Sequence, residues 1–183
     1  MMTSNFFLKK YFSLISKNLF EIDKKNFEFF IDMILSIKKQ NNKIIIVGNG
    51  GSAAMASHVA VDFTKAANIR AINFNEADLI TCYANDYGYE NWVTQALKSY
   101  AEPKDLIILI SSSGKSKNIT NAAKFLVERK MKFVTFSGFS KNNHLKKIGK
   151  INFWVDSKHY NIIEMIHHIW LLAAVDKVAK LKI

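Results

Sequence analysis

The chain has 183 residues, 49% of them hydrophobic and only one a proline, which suits one domain with a buried core and excludes extensive disorder. A lone cysteine, Cys82, excludes an internal disulfide, the N-terminus lacks the pattern of a signal peptide, and apolar runs such as 107–110 and 171–175 fall far short of the roughly 18 residues that span a bilayer; a cytoplasmic protein with no membrane partner is expected. The formal charge of +11 invites a nucleic-acid reading, but Arg70 and Arg129 are the only arginines and the lysines are scattered from Lys9 to Lys182, so a general basic surface is the better account.

In chain order, residues 5–39 carry apolar side chains at helical spacing (Phe12, Ile15, Leu19, Ile22, then Phe27, Phe30, Ile34, Ile37), which predicts two helices broken near 23–26. Residues 44–47, Ile-Ile-Ile-Val, form a β-branched run typical of a strand buried on both faces. The run stops at Gly48-Asn49-Gly50-Gly51-Ser52 and a helical stretch follows. A short strand is predicted over 70–74; 78–83 and the turn after it lead into a helix over 92–100. Residues 106–110 form a strand that ends at Ser111-Ser112-Ser113-Gly114-Lys115-Ser116, before a helix over 119–130. Strands over 133–137 and 152–155 and a long helix over 162–181 complete the pattern. Such alternation predicts right-handed βαβ units: an α/β fold with a doubly wound, mainly parallel five-stranded sheet and helices on both faces.

Ligands of such sheets bind outside the carboxyl ends of the strands. The loop 48–52 offers backbone N–H groups unobstructed by Cβ atoms, with Ser52 placed to cap the next helix, and a helix N-terminus attracts anions. The loop 111–116 sets four serine hydroxyls and a glycine at a second strand end, able to hold a phosphate without a formal charge. No nucleotide cofactor is expected. In the first loop the third glycine position of G-x-G-x-x-G is Ala53, and 114–116 is no Walker A because position 109 is leucine. His58 and Asp62 lie four apart on the helix after the first loop and project from one face, where they could share a metal or a substrate.

A buried strand followed by GNGGS, with a second followed by S-S-S-G-K-S, resembles the paired signature of the sugar isomerase (SIS) family. The stretch from 43 to about 177, the helical pair before it and the Asn85-Asp86-Tyr87-Gly88 element are similar to the phosphoheptose isomerases. The resemblance implies one SIS domain over 1–183, with helices over 5–39 and an α/β core over 43–183. It implies isomerisation of sedoheptulose 7-phosphate to D-glycero-D-manno-heptose 7-phosphate through an enediol, as a step toward heptose for lipopolysaccharide or capsule. Asn49, Gly50, Gly51 and Ser52 would line the substrate, Asn85 and Asp86 would contact its hydroxyls (Asp86 from a neighbouring subunit), and Ser111, Ser112, Ser113 and Ser116 would hold the phosphate. The family's zinc group, a His and a Glu from the first core helix and a Gln and a His from the last, falls on His58, Asp62, Glu164 and Leu172. Catalytic roles therefore go to His58, Asp62 and Glu164; Zn2+ would sit on the same three, with His168 a further candidate and His167 beside it. The departures at Asp62 and Leu172 leave open a non-catalytic member that senses sugar phosphate or scaffolds a protein such as the replication initiator. Apolar helices beyond what one sheet can cover predict a homo-oligomer, and the resemblance implies a tetramer with pockets at subunit boundaries.

Overall fold

The computed structural model describes residues 3–182. Two helices lead, α1 (Ser4–Phe20) and α2 (Lys24–Gln40). Asp23 separates them because its carboxylate accepts from the Asn26 N–H at 2.9 Å and so caps α2. Then follow β1 (Ile44–Val47), α3 (Gly51–Lys65), β2 (Ala71–Asn73), α4 (Ala77–Tyr87), α5 (Trp92–Tyr100), β3 (Leu106–Ser111), α6 (Lys117–Glu128), β4 (Lys132–Ser137), α7 (His144–Ile148), β5 (Asn152–Trp154) and α8 (Tyr160–Ala179).

The five strands lie in the order β2-β1-β3-β4-β5 and every pair is parallel, so the expected mainly parallel sheet is parallel throughout. Both faces are covered. Ile44, Ile46, Leu106, Ile108 and Ile110 point to the side packed by α2, α3 and α8, while Ile45, Val47, Ile107 and Leu109 point to the side packed by α5 and α6. An unbroken apolar run is therefore still read with a period of two, each face taking alternate residues. The chain winds from β1 outward to β2, then returns past β1 to β3 and on to β5. The winding reverses between β1 and β3, and the crevice that opens there is where such sheets bind ligands.

Some local expectations need correction. Gly50, at φ 54°, is the N-cap of α3, and Ser52 is buried inside the first turn, where its N–H bonds back to the Asn49 carbonyl at 3.0 Å instead of being capped by its own hydroxyl. The segment around 78–83 is part of a helix, and Asn85, Asp86 and Tyr87 form its last turn, closed by Gly88 at φ 80°. The short helix α7 was not foreseen from the sequence; Asn143 caps it by accepting from the Lys146 N–H at 2.9 Å.

Candidate functional site

The loop after β1 and the loop after β3 meet over the switch point. Asn49 is fixed there by a reciprocal amide pair: its Nδ2 donates to Asn118 Oδ1 at 3.1 Å, and Asn118 Nδ2 donates back to Asn49 Oδ1 at 2.9 Å. Asn118 is buried in the first turn of α6, so the pair ties the α3 loop to the helix that follows the serine loop. The Tyr89 hydroxyl also donates to Asn49 Oδ1, at 3.3 Å. In the serine loop, Ser111 Oγ donates to Ser116 Oγ at 3.0 Å, and the Ser112 carbonyl accepts from the Gly138 N–H at 2.8 Å. Gly114 turns the loop at φ 63°, and a Cβ there would strike the Asn143 side chain. Only glycine meets both demands. Together the two loops enclose a cavity of about 110 Å³ lined by Asn49, Ser52, Ile110, Ser111, Ser112, Ser113, Ser116, Tyr160 and Glu164.

No lysine or arginine lines this cavity. Its only ionisable groups are the Glu164 carboxyl and the Tyr160 hydroxyl. Glu164 projects from α8 across the start of α3, so close that a Cβ at Gly51 would overlap its carboxylate. Ser112 Oγ donates to Glu164 Oε1 at 3.4 Å. Burial raises the pKa of Glu164 above the ordinary carboxyl value, and the Ser112 hydrogen bond offsets part of that rise.

Further along the seam between α3 and α8 lies a second cluster. His58 Nε2 is 3.2 Å from Asp62 Oδ2, one turn apart on α3. The His168 ring packs edge-on against His58 with centroids 4.9 Å apart. The pKa of His168 is lowered by burial first and by neighbouring His58 second, while Asp62 acts against both; its Nε2 is buried without a partner among the described residues. Glu164 and His168 are four apart on α8, about 6 Å along its axis, so the cavity and this cluster sit on one helix face. His167 points the other way, fully buried, with Nε2 3.0 Å from the Ser137 carbonyl. A carbonyl can only accept, so this ring carries a proton on Nε2, and burial pushes its pKa down to about 4.

The SIS domain profile matches residues 8–138. The chain belongs to the SIS domain family. It is 32% identical over 149 residues to the phosphoheptose isomerase of Crocosphaera subtropica (78% of this chain, 75% of that protein). It is 34% identical over 143 residues to the probable phosphoheptose isomerase of Thermoplasma acidophilum (74% of this chain, 78% of that protein). Its fold matches the phosphoheptose isomerase structure from Neisseria gonorrhoeae with a TM-score of 0.85 at 22% identity, covering 93% of this chain and 94% of that one.

Within this SIS domain, the sequence-predicted residues Asn49, Ser52, Ser111, Ser112, Ser113, Ser116 and Glu164 share one cavity, Gly51 lies against the Glu164 carboxyl, and Gly50 is not among the lining residues. Asn85 and Asp86 do not line it; they are exposed at the end of α4, where Asn85 Nδ2 donates to Asp86 Oδ1 at 3.0 Å. The expected metal set does not form either. Among the described residues no three His, Cys, Asp or Glu side chains are placed to hold a metal ion. His58 Nε2 is engaged by Asp62, and Glu164 bonds to Ser112 beside the start of α3. The donors as arranged do not fit zinc. Leu172 is half-buried against the core, and the imidazole beside His58 belongs to His168, one turn earlier. Sequence reasoning missed Asn118, Tyr89 and Tyr160, which stand outside the loop motifs. Only Asn118, two residues past the last serine of the loop, left a signal: a polar residue where the helix pattern turns apolar.

Proposed function

We propose that this protein is a sugar-phosphate aldose–ketose isomerase that converts sedoheptulose 7-phosphate to D-glycero-D-manno-heptose 7-phosphate, a step toward heptose for lipopolysaccharide or capsule. The observation that carries this reading is the phosphoryl-sized cavity of serine hydroxyls at the β1/β3 crevice, with a His–Asp–His cluster further along the same helix seam. The named relatives, isomerases of this class at 32% and 34% identity, support it.

In this reading Ser111, Ser112, Ser113 and Ser116 grip the phosphoryl group. The amide of Asn49 and the backbone of Gly50, Gly51 and Ser52 close over it. The sugar runs along the α3–α8 seam, which brings C1 and C2 to His58. With Asp62 holding its ring, His58 accepts the proton from C1 as the C2 carbonyl oxygen gains one, giving the enediol. C2 then takes a proton while the C1 hydroxyl loses its own, which leaves the aldehyde. His168, whose pKa is lowered by burial and by neighbouring His58, is the second imidazole available for proton exchange at the two oxygens.

The same reading places the protein in the cytoplasm as a homotetramer. Phe6, Phe12 and Phe20 are 58%, 59% and 82% exposed in the single chain, more aromatic surface than a lone α1 would leave to water. Asp86, exposed on α4, would then reach a neighbouring subunit's cavity. No helix among the described residues is long and apolar enough to cross a membrane.

The test is to incubate the purified protein with sedoheptulose 7-phosphate, with and without added Zn2+, and follow the anomeric NMR signals. The aldose is expected, and His58→Ala should lower kcat by about 10²–10⁴-fold. Absence of aldose in both conditions would overturn the assignment, and light scattering that found a monomer would remove the tetramer.

A further inference from the structure

The side of the sheet covered by α5 and α6 carries a cleft that the isomerase reading leaves unused. It runs along the α5–α6 seam, and its two ends share Lys98, Phe125 and Arg129. One end, about 380 Å³, is polar, with Asn91, Thr94, Asn121 and Lys124 in its wall. The other, about 460 Å³, is apolar, walled by Leu97, Ala101, Pro103 and Met131. Both volumes fall within the range of small-molecule sites, about 300–1,000 Å³. None of these residues lines the serine cavity.

Positive charge converges where the two ends join. Lys98 Nζ lies 5.8 Å and the Arg129 guanidinium carbon 5.6 Å from the centre of the Phe125 ring, so one aromatic side chain draws together cations from two elements. Lys124 adds a third. None of the three is in an ion pair among the described residues. Even Glu128, the one carboxylate of the cleft, does not pair with Lys124 a helical turn before it. The Thr94 hydroxyl oxygen is shielded from solvent in the polar wall and has no hydrogen-bond partner among the described residues. Shielded hydroxyls are ordinarily paired, and an acceptor entering the cleft would pair this one. Like charges gathered round one ring also repel each other, a cost that a bound anion removes.

The two ends together define the ligand. An inorganic anion would meet the cations and leave the apolar end empty, whereas an apolar molecule would leave the cations unpaired. We infer that the cleft binds a nucleoside diphosphate, with the diphosphate among Lys98, Lys124, Arg129 and the Thr94 hydroxyl and the base against Ala101, Pro103 and Met131. The guanidinium fork of Arg129, one of only two arginines in the chain, suits paired phosphoryl oxygens. This site stands apart from the sugar-phosphate cavity and does not rest on that reading.

The experiment is calorimetric titration of ADP, pyrophosphate and adenosine into the full chain at 0.15 M salt. One ADP per chain is expected, bound at least about tenfold tighter than pyrophosphate or adenosine, each of which fills one end only. Lys98→Ala and Arg129→Ala should each weaken ADP by roughly ten- to hundredfold, the loss of a bond to a charged group. Both side chains are exposed, and Arg129→Lys, which keeps the charge without the fork, should recover only part of the loss. ADP affinity that survives both alanine substitutions would overturn the inference, as would displacement of ADP by sedoheptulose 7-phosphate, which would put the nucleotide in the serine cavity. Failure to bind ADP would also overturn it, even if a DNA duplex bound through the same cations, and would leave the isomerase reading standing.

Discussion

The reciprocal amide pair between Asn49 and Asn118 makes a quantitative prediction. Each single alanine substitution removes the same two hydrogen bonds, at 3.1 and 2.9 Å, and so costs about 1–3 kcal/mol of stability, from a net value near 1 kcal/mol per bond. The two singles should differ. Asn49→Ala strands the amide of Asn118, which is 2% exposed, whereas after Asn118→Ala the Asn49 oxygen still receives the Tyr89 hydroxyl; Asn49→Ala is therefore the more damaging. Because the bonds are shared, the double variant should cost little more than the worse single, a coupling of about 1–3 kcal/mol. With a urea slope near 2 kcal/mol/M, each single shifts the unfolding midpoint by about 0.5–1.5 M. Urea unfolding of the four proteins measures the cycle. Additive effects, or Asn118→Ala the worse of the two, would refute the claim that this pair pins the loop.

Other consequences can be checked as directly. Ser116→Ala leaves Ser111 Oγ without its 3.0 Å partner at the cavity wall, so KM for the sugar phosphate should rise roughly tenfold with kcat changed far less, the mark of lost ground-state binding; steady-state kinetics separates the two. His167 makes stability pH-dependent. Its pKa falls from 6.5 to about 4 on folding, so the unfolded chain binds more protons between those values, and stability present above pH 6.5 is lost as pH falls toward 4. The full loss is of order 3 kcal/mol, and the gap in urea midpoint between pH 7 and pH 5 should shrink in His167→Gln.

The fold was legible because its signal is local. Ile44–Val47 and Leu106–Ser111 are apolar runs too short to be helices, each stopped by glycine or serine, and their repetition dictates a parallel sheet. Where the signal was weak the reading drifted: α7 has 5 residues and its cap at Asn143 serves a turn, and Asn85–Tyr87 read as a turn because Asn, Asp and Gly dominate turns, although Gly88 is there to end a helix. The same limit governed the site. The two loops announced themselves by composition, but Tyr89, Asn118 and Tyr160 join them only through tertiary contacts.

What the sequence determined by itself was the set of backbone shapes: where strands stop, where glycine must take a positive φ, and where hydroxyls crowd a strand end, all set by neighbours along the chain. Tertiary structure alone decided which side chains face one another across α3 and α8. Helix phase and crossing set His168 against His58, left Leu172 in the packing, and drew Glu164 over Gly51, away from the His58–Asp62 pair. A shift of one turn moves a side chain about 5.4 Å along a helix, enough to exchange a metal ligand for a core residue, and no pattern within either helix fixes that register.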